Sequence, residues 1–148
     1  MAEYLNLPLT VGAQKIENRV VFQPMEGCDC NEDGSPHQLT IEKYLKAARS
    51  GAGLVWFEAN AVCPEGRTNP RQMMLTRENI DQFKALLKDM REIALRECGI
   101  RQVLILQLTH SGRQSIVPMI ANVNITASRL VNIFITVTSV CKLILFYT

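Results

Sequence analysis

The sequence predicts an α/β fold built on parallel strands, and two observations support this prediction. Three short, continuously apolar runs alternate with two helical segments, which gives the order βαβαβ. Such runs are typical of strands buried on both faces of a parallel sheet and joined by right-handed helical crossovers. The composition agrees, because 47% of the 148 residues are hydrophobic and 20% are charged, as in an ordinary globular domain.

The three predicted strands all end in segments of unusual composition. A hairpin turning at Gly12 precedes the strands, which span residues 19–23, 54–59 and 103–106. In parallel α/β sheets, ligands bind beyond the carboxyl ends of the strands. The segments at that edge are residues 24–30, 58–69 and 107–113. The sequence therefore predicts a binding site at this edge, before any family is considered.

Two amphipathic helices are predicted between the strands. We expect the first to follow Thr40, the predicted N-cap residue, and to fill the segment before the second strand. The second follows Asn79, and the segment from Asn79 to Gln82 resembles a capping box. Its apolar side chains recur at helical spacing up to Ala94, and Gly99 is expected to stop it.

The charges are balanced over most of the chain, although the net charge is +2. Residues 1–113 carry all fourteen acidic residues and fourteen of the sixteen basic ones. So small an excess attracts phosphate weakly, and nucleic-acid binding is not predicted. Five cysteines and no basic-then-apolar leader predict reduced thiols in the cytoplasm. Cys28 and Cys30 have no second Cys/His pair at a useful spacing, so no metal site is predicted.

The composition divides the chain into a first part, residues 1–115, and a tail, residues 116–148. Eleven of the last 35 residues are Ile or Val, and none is acidic. Three interpretations are open: a membrane anchor over residues 130–147, a β-rich ending that covers the unit, and a continuation altered by a frame shift or truncation. Asn132 and Lys142 interrupt the anchor. No amphipathic helix leads to a fourth parallel strand, which favours the third interpretation.

Three motifs stand at the predicted strands. They are NRVVFQPM at 18–25, GAGLVWFEANAV at 51–62 with PEGR at 64–67, and QLTHSGR at 107–113. In this order they resemble the Old Yellow Enzyme family of NAD(P)H:flavin oxidoreductases, across about residues 5–115. The resemblance implies a TIM (β/α)8 barrel with FMN at its C-terminal face. Because a complete barrel needs about 250 residues, we expect an incomplete barrel: the first three parallel strands with their helices, followed by an atypical apolar tail.

The resemblance assigns five residues to the flavin: Pro24, Met25, Glu26, Ala59 and Gln107. Ala59 would let the ring approach closely, and the amide of Gln107 would match the acceptor and donor at flavin O2 and N3. Glu26 stands where well-known members have Thr or Cys. Its carboxylate would disfavour an anionic reduced ring, so only its backbone is expected at the flavin. Cys28 would lie on the substrate side, where some relatives have an aromatic residue.

Other residues of the motifs are expected to serve the structure. Trp56 and Phe57 are packing residues. Glu58 is either a buried carboxylate with a raised pKa or, as we expect, an anchor for a loop through nearby amides. His110 is given a supporting role, and Arg67 is expected to tie loops together through its hydrogen bonds.

The resemblance also implies a reaction. NADH or NADPH would reduce FMN, and hydride would pass from flavin N5 to an activated alkene, a small-molecule substrate. In the family a His/His or His/Asn pair from later strands binds the substrate carbonyl, whereas this chain has only His37 and His110, and no catalytic residue is assigned. We therefore expect a truncated FMN-dependent oxidoreductase with little activity alone. The alternatives are a non-catalytic partial barrel that self-associates through exposed sheet edges, and a membrane-associated protein.

Overall fold

A computed structural model describes residues 2–116 and 142–147 of the chain. These residues form two sheets: an antiparallel hairpin, β1–β2, and a four-stranded sheet in the order β3–β4–β5–β6. The elements, in chain order, are α1 (Ala2–Leu5), β1 (Leu9–Val11), β2 (Gln14–Ile16), β3 (Val21–Phe22), α2 (Gln38–Arg49), β4 (Leu54–Ala61), α3 (Ile80–Ile93), β5 (Val103–Thr109) and β6 (Lys142–Tyr147).

The predicted βαβαβ order is confirmed, with β3, β4 and β5 parallel and α2 and α3 as the crossovers. The described residues do not close into a barrel, and a strand from the tail is added to the sheet. This strand, β6, runs antiparallel along β5, from Thr109 opposite Lys142 to Leu104 opposite Tyr147. The free edge of β5 that an open three-stranded sheet would expose is therefore paired.

Most of the stretch that the sequence marked as a possible membrane anchor, residues 130–147, lies outside the described residues. Its last part is the strand β6. Within residues 2–116 and 142–147, no helix is long and apolar enough to cross a bilayer.

The sheet has two faces, which we call the helix face and the inner face. On the helix face, α2 and α3 pack against the strands around a cluster that includes Tyr44, Phe57, Phe83, Met90 and Leu104. Burying one such side chain stabilises the fold by roughly 1.5–3 kcal/mol. On the inner face, a smaller cluster joins the hairpin to the amino ends of the strands through Ile16, Leu54, Trp56, Val103 and Ile105.

The helix ends differ from the prediction in two details. The first helix begins at Gln38, so Thr40 lies inside it, and its buried hydroxyl donates to Asp29 Oδ1 at 2.7 Å instead of capping the helix. Asn79 precedes α3 as predicted, but its side chain makes no cap, because its amide bonds backbone groups of the preceding loops. The capping-box prediction was therefore wrong. After Ile93 the helix continues as a π-helical turn over Ala94–Cys98, and the predicted stop at Gly99, which has φ +68°, is confirmed.

Replacing residues 142–147 with a Gly/Ser segment of equal length should increase self-association. The change removes the partner of β5 and leaves a row of unpaired backbone groups at the sheet edge. Light scattering after size-exclusion chromatography measures the mass over a range of concentrations. A Gly/Ser replacement of residues 2–5, which lie outside the sheet, is the control. Equal masses for the β6 replacement and the unaltered chain would contradict the role given to β6.

Candidate functional site

A bulge in β4 decides which side chains reach the inner face at the carboxyl end of the sheet. Trp56 pairs with Ile105, and the next recorded pair joins Ala59 to Gln107, so the register shifts by one residue between them. Side chains of a regular strand alternate between its two faces. In a regular strand, residues three positions apart lie on opposite faces. Because of the extra residue, Ala59 lies on the same face as Trp56, which comes three positions earlier in the chain.

Ala59 and Gln107 lie side by side on this inner face. Gln107 continues the alternate series of Val103 and Ile105, which pack on the inner face. The residue is only 6% exposed, and no hydrogen bond within the described part of the chain uses its side-chain amide. The pair therefore presents a donor and an acceptor beside a small methyl group.

The loop after β3 lies at the same end of the sheet, next to β4. The pairing of Val21 with Leu54 and of Phe22 with Val55 sends the chain into this loop at the carboxyl end of β3. Pro24 is half-buried and Met25 is 72% exposed. The structure thus pairs two of the predicted flavin residues, Ala59 and Gln107, directly, and places Pro24 and Met25 on the neighbouring loop.

The side chain of Glu58, at the end of β4, anchors this loop. Its side chain is fully buried, and its Oε2 accepts a hydrogen bond from the backbone N–H of Gly27 at 2.8 Å. Its Oε1 accepts from Lys43 Nζ at 2.6 Å and from the Tyr44 hydroxyl at 3.2 Å. A buried carboxylate needs such a paired cation and such donors. The predicted loop-anchoring role of Glu58 is confirmed.

Gly27 packs closely against the ion pair between Glu58 and Lys43, which leaves no room for a side chain at this position of the loop. A Cβ on Gly27 would lie 2.7 Å from both Lys43 Nζ and Asp29 Oδ2. Lys43 Nζ also lies 3.5 Å from Asp29 Oδ1, so a larger residue would push the cation away from Glu58. Sequence reasoning missed Lys43 and Tyr44, because they come from α2 and no spacing links them to the end of β4.

The side chain of Glu26 bonds other loop residues. Its Oε1 accepts from the Thr68 hydroxyl at 3.3 Å and from the Cys28 thiol at 3.8 Å. Cys28 itself is half-buried and has φ +49°, a left-handed conformation that costs an L residue about 1–2 kcal/mol. Burial and the neighbouring Glu26 carboxylate raise the pKa of the Cys28 thiol. At neutral pH, Cys28 therefore offers a protonated thiol, which is a weak nucleophile.

His110 and Arg67 support the loops behind the site. The Nδ1 atom of His110 accepts the backbone N–H of Gly112 at 3.0 Å. Its ring packs so closely on Gly66 that a Cβ there would lie 2.9 Å from His110 Cδ2. Arg67 donates to the carbonyl oxygen of Glu32 at 2.6 Å. The loop-tying role predicted for Arg67 is confirmed.

Glu26→Gln should speed the alkylation of Cys28 by iodoacetamide at pH 8. Removing the carboxylate charge lowers the pKa of the thiol and raises the thiolate fraction, by roughly twofold to threefold. Peptide-resolved mass spectrometry gives the rate. Cys98, which bonds backbone carbonyls at the far end of α2, is the internal reference. An unchanged ratio of the two rates would show that Glu26 does not act on Cys28.

Comparison with known proteins identifies relatives of the chain. The NADH:flavin oxidoreductase / NADH oxidase family matches residues 5–129. An NADH oxidase of Thermoanaerobacter brockii is 34% identical over 106 residues, which are 71% of this chain and 15% of the relative. An NADPH dehydrogenase of Bacillus subtilis is 31% identical over 117 residues, which are 78% of this chain and 32% of the relative.

The fold of the chain is also similar to that of a solved structure. The old yellow enzyme from Trypanosoma cruzi superposes with a TM-score of 0.63 at 26% identity, over 77% of this chain and 29% of that enzyme. The chain thus spans about a third or less of the length of the relatives it matches. By its sequence and its fold, the chain belongs to the NADH:flavin oxidoreductase / NADH oxidase family, whose members use FMN and NAD(P)H.

Proposed function

We propose that this chain forms the wall of an FMN site that holds the pyrimidine edge of the isoalloxazine ring. The observation that supports it is the pairing of Ala59 with Gln107 at the carboxyl end of parallel strands. The carbonyl and NH2 groups of the Gln107 amide match the N3–H donor and O2 acceptor of the ring. Each such hydrogen bond contributes about 0.5–1.5 kcal/mol net. The methyl group of Ala59 leaves room for the ring beside them.

The loop after β3 supplies the remaining contacts in this proposal. Pro24 and the exposed side chain of Met25 offer an apolar surface to the ring. Glu26 contributes its backbone, since its side chain bonds Thr68 and Cys28. Bound FMN supplies the hydride chemistry between NADH or NADPH and an activated alkene. Cys28 lies on the side of the loop that we assign to this small-molecule substrate.

We further propose that turnover needs more of the barrel than the described residues supply. They provide three of the eight parallel strands of a TIM barrel. In this proposal they bind and orient the ring, while carbonyl and phosphate binding belong to later strands. Four described cysteines are free thiols, which fits a reducing compartment and supports a cytoplasmic location.

Gln107→Glu should weaken FMN binding by roughly thirtyfold, or about 2 kcal/mol. A carboxylate cannot donate a hydrogen bond to flavin O2, and its negative charge is repelled by the lone pairs of that acceptor oxygen. Titration of the purified chain into FMN, followed by flavin fluorescence, measures the Kd. Gln82→Glu makes the same chemical change at an exposed position of α3 and should leave the Kd unchanged. The proposal fails if the unaltered chain does not bind FMN, or if both variants bind equally well.

The isolated chain, saturated with FMN, should not reduce 2-cyclohexenone at the expense of NADPH above the rate of free FMN. The residues assigned here orient the ring but do not polarise the enone carbonyl, which the transition state requires. Absorbance at 340 nm and product analysis measure the rate. Sustained, protein-dependent formation of cyclohexanone would contradict the proposed division between binding and turnover.

A further inference from the structure

One buried tyrosine on α2 contacts both residues at the β4 bulge. The Tyr44 ring stacks on Phe57, with centroids 4.1 Å apart and planes 16° from parallel. Its hydroxyl accepts the backbone N–H of Glu58 at 2.9 Å and donates to Glu58 Oε1 at 3.2 Å. All three side chains are at most 1% exposed. Phe57 and Glu58 are consecutive, yet both turn to the helix face, which a regular strand does not allow.

The hydroxyl group of Tyr44 also provides a hydrogen-bond acceptor for a backbone N–H group at the bulge. The extra residue of a bulge is taken out of the strand ladder, and neither Phe57 nor Glu58 has a recorded partner on β5. An unpaired N–H in the core is unfavourable, and the Tyr44 hydroxyl accepts the one that Glu58 presents. Burial, with the Glu58 carboxylate, raises the pKa of Tyr44, so the hydroxyl keeps the proton that it donates.

Lys43, which precedes Tyr44 on α2, has a different role. Its Nζ atom pairs with the Glu58 carboxylate at 2.6 Å, and no recorded bond joins it to the backbone of β4. Lys43 therefore compensates the charge of Glu58, while Tyr44 holds the backbone of the strand.

We propose that Tyr44 is a positioning residue that sets the register of the candidate site. By keeping both Phe57 and Glu58 on the helix face, it makes Ala59 the partner of Gln107. If the bulge were lost, alternation from Trp56 would turn Glu58 to the inner face and place a carboxylate beside Gln107. The same slip would pull Glu58 away from Gly27 and release the loop after β3. The effect on FMN rests on the function proposed above, whereas the register does not.

Tyr44→Phe tests this role, because it removes the hydroxyl and keeps the ring that stacks on Phe57. The matched control is Thr40→Val, which removes another fully buried hydroxyl of α2 that bonds Asp29 and does not touch the bulge. NMR cross-strand contacts between Ala59 and Gln107 report the register, and flavin fluorescence reports FMN affinity. We expect Tyr44→Phe to lose these contacts and to raise the Kd for FMN by roughly tenfold. Thr40→Val should keep both readouts.

The outcomes separate the register from the function. Unchanged Ala59–Gln107 contacts in Tyr44→Phe, or an equal loss of them in Thr40→Val, would overturn the positioning role. If the unaltered chain does not bind FMN, the proposed function fails, while the NMR contacts still decide the register.

Should Tyr44→Phe not fold, hydrogen exchange of the unaltered chain provides the test. We expect the Glu58 amide to be protected although it has no partner on β5, because the Tyr44 hydroxyl accepts it. Exchange as fast as in the exposed loops would overturn the proposal.

Discussion

The candidate site depends on the hydrogen bonds and the ion pair made by the buried carboxylate of Glu58. This carboxylate joins three separate parts of the chain: β4, the helix α2 through Lys43 and Tyr44, and the loop after β3 through Gly27. A buried charge of this kind costs several kcal/mol unless it is paired and hydrogen-bonded. Each of these partners is therefore held in place by the need to satisfy the others, and the loop carrying Pro24 and Met25 is held at the end of the sheet.

The bulge directs the side chain of Glu58 away from the inner face, and it also determines which side chain lies there beside Gln107. It leaves a small side chain, Ala59, next to the side-chain amide of Gln107. A larger or charged side chain at this place would compete with a flat, polar-edged ligand. The polar and apolar groups at the carboxyl end of the sheet thus follow from one extra residue in one strand. This agrees with the observation that bulges recur next to binding sites.

The order of the elements could be read from the sequence, because continuous apolar runs and helical periodicity report burial directly. The bulge could not, since an apolar run buried on both faces carries no alternation that would reveal a change of phase. The cap assigned to Thr40 was wrong because its hydroxyl has a better partner in Asp29, brought near only by the tertiary fold. The strand β6 agrees with the β-rich ending that was one of three interpretations of the tail, but its place beside β5 could not be predicted because that pairing is non-local. Ala59 and Gln107 were identified through the family resemblance, and their adjacency became visible only in the sheet.

NMR of the Gln107 side-chain amide during titration with lumiflavin tests whether the Ala59–Gln107 pair receives the edge of a flavin ring. This ligand has the ring without the ribityl phosphate, so binding depends on the ring contacts alone. We expect a saturable shift of the Gln107 NH2 signals that exceeds the shifts of Gln82 and Gln114. Shifts confined to other glutamines, or no saturable shift at Gln107, would contradict this expectation.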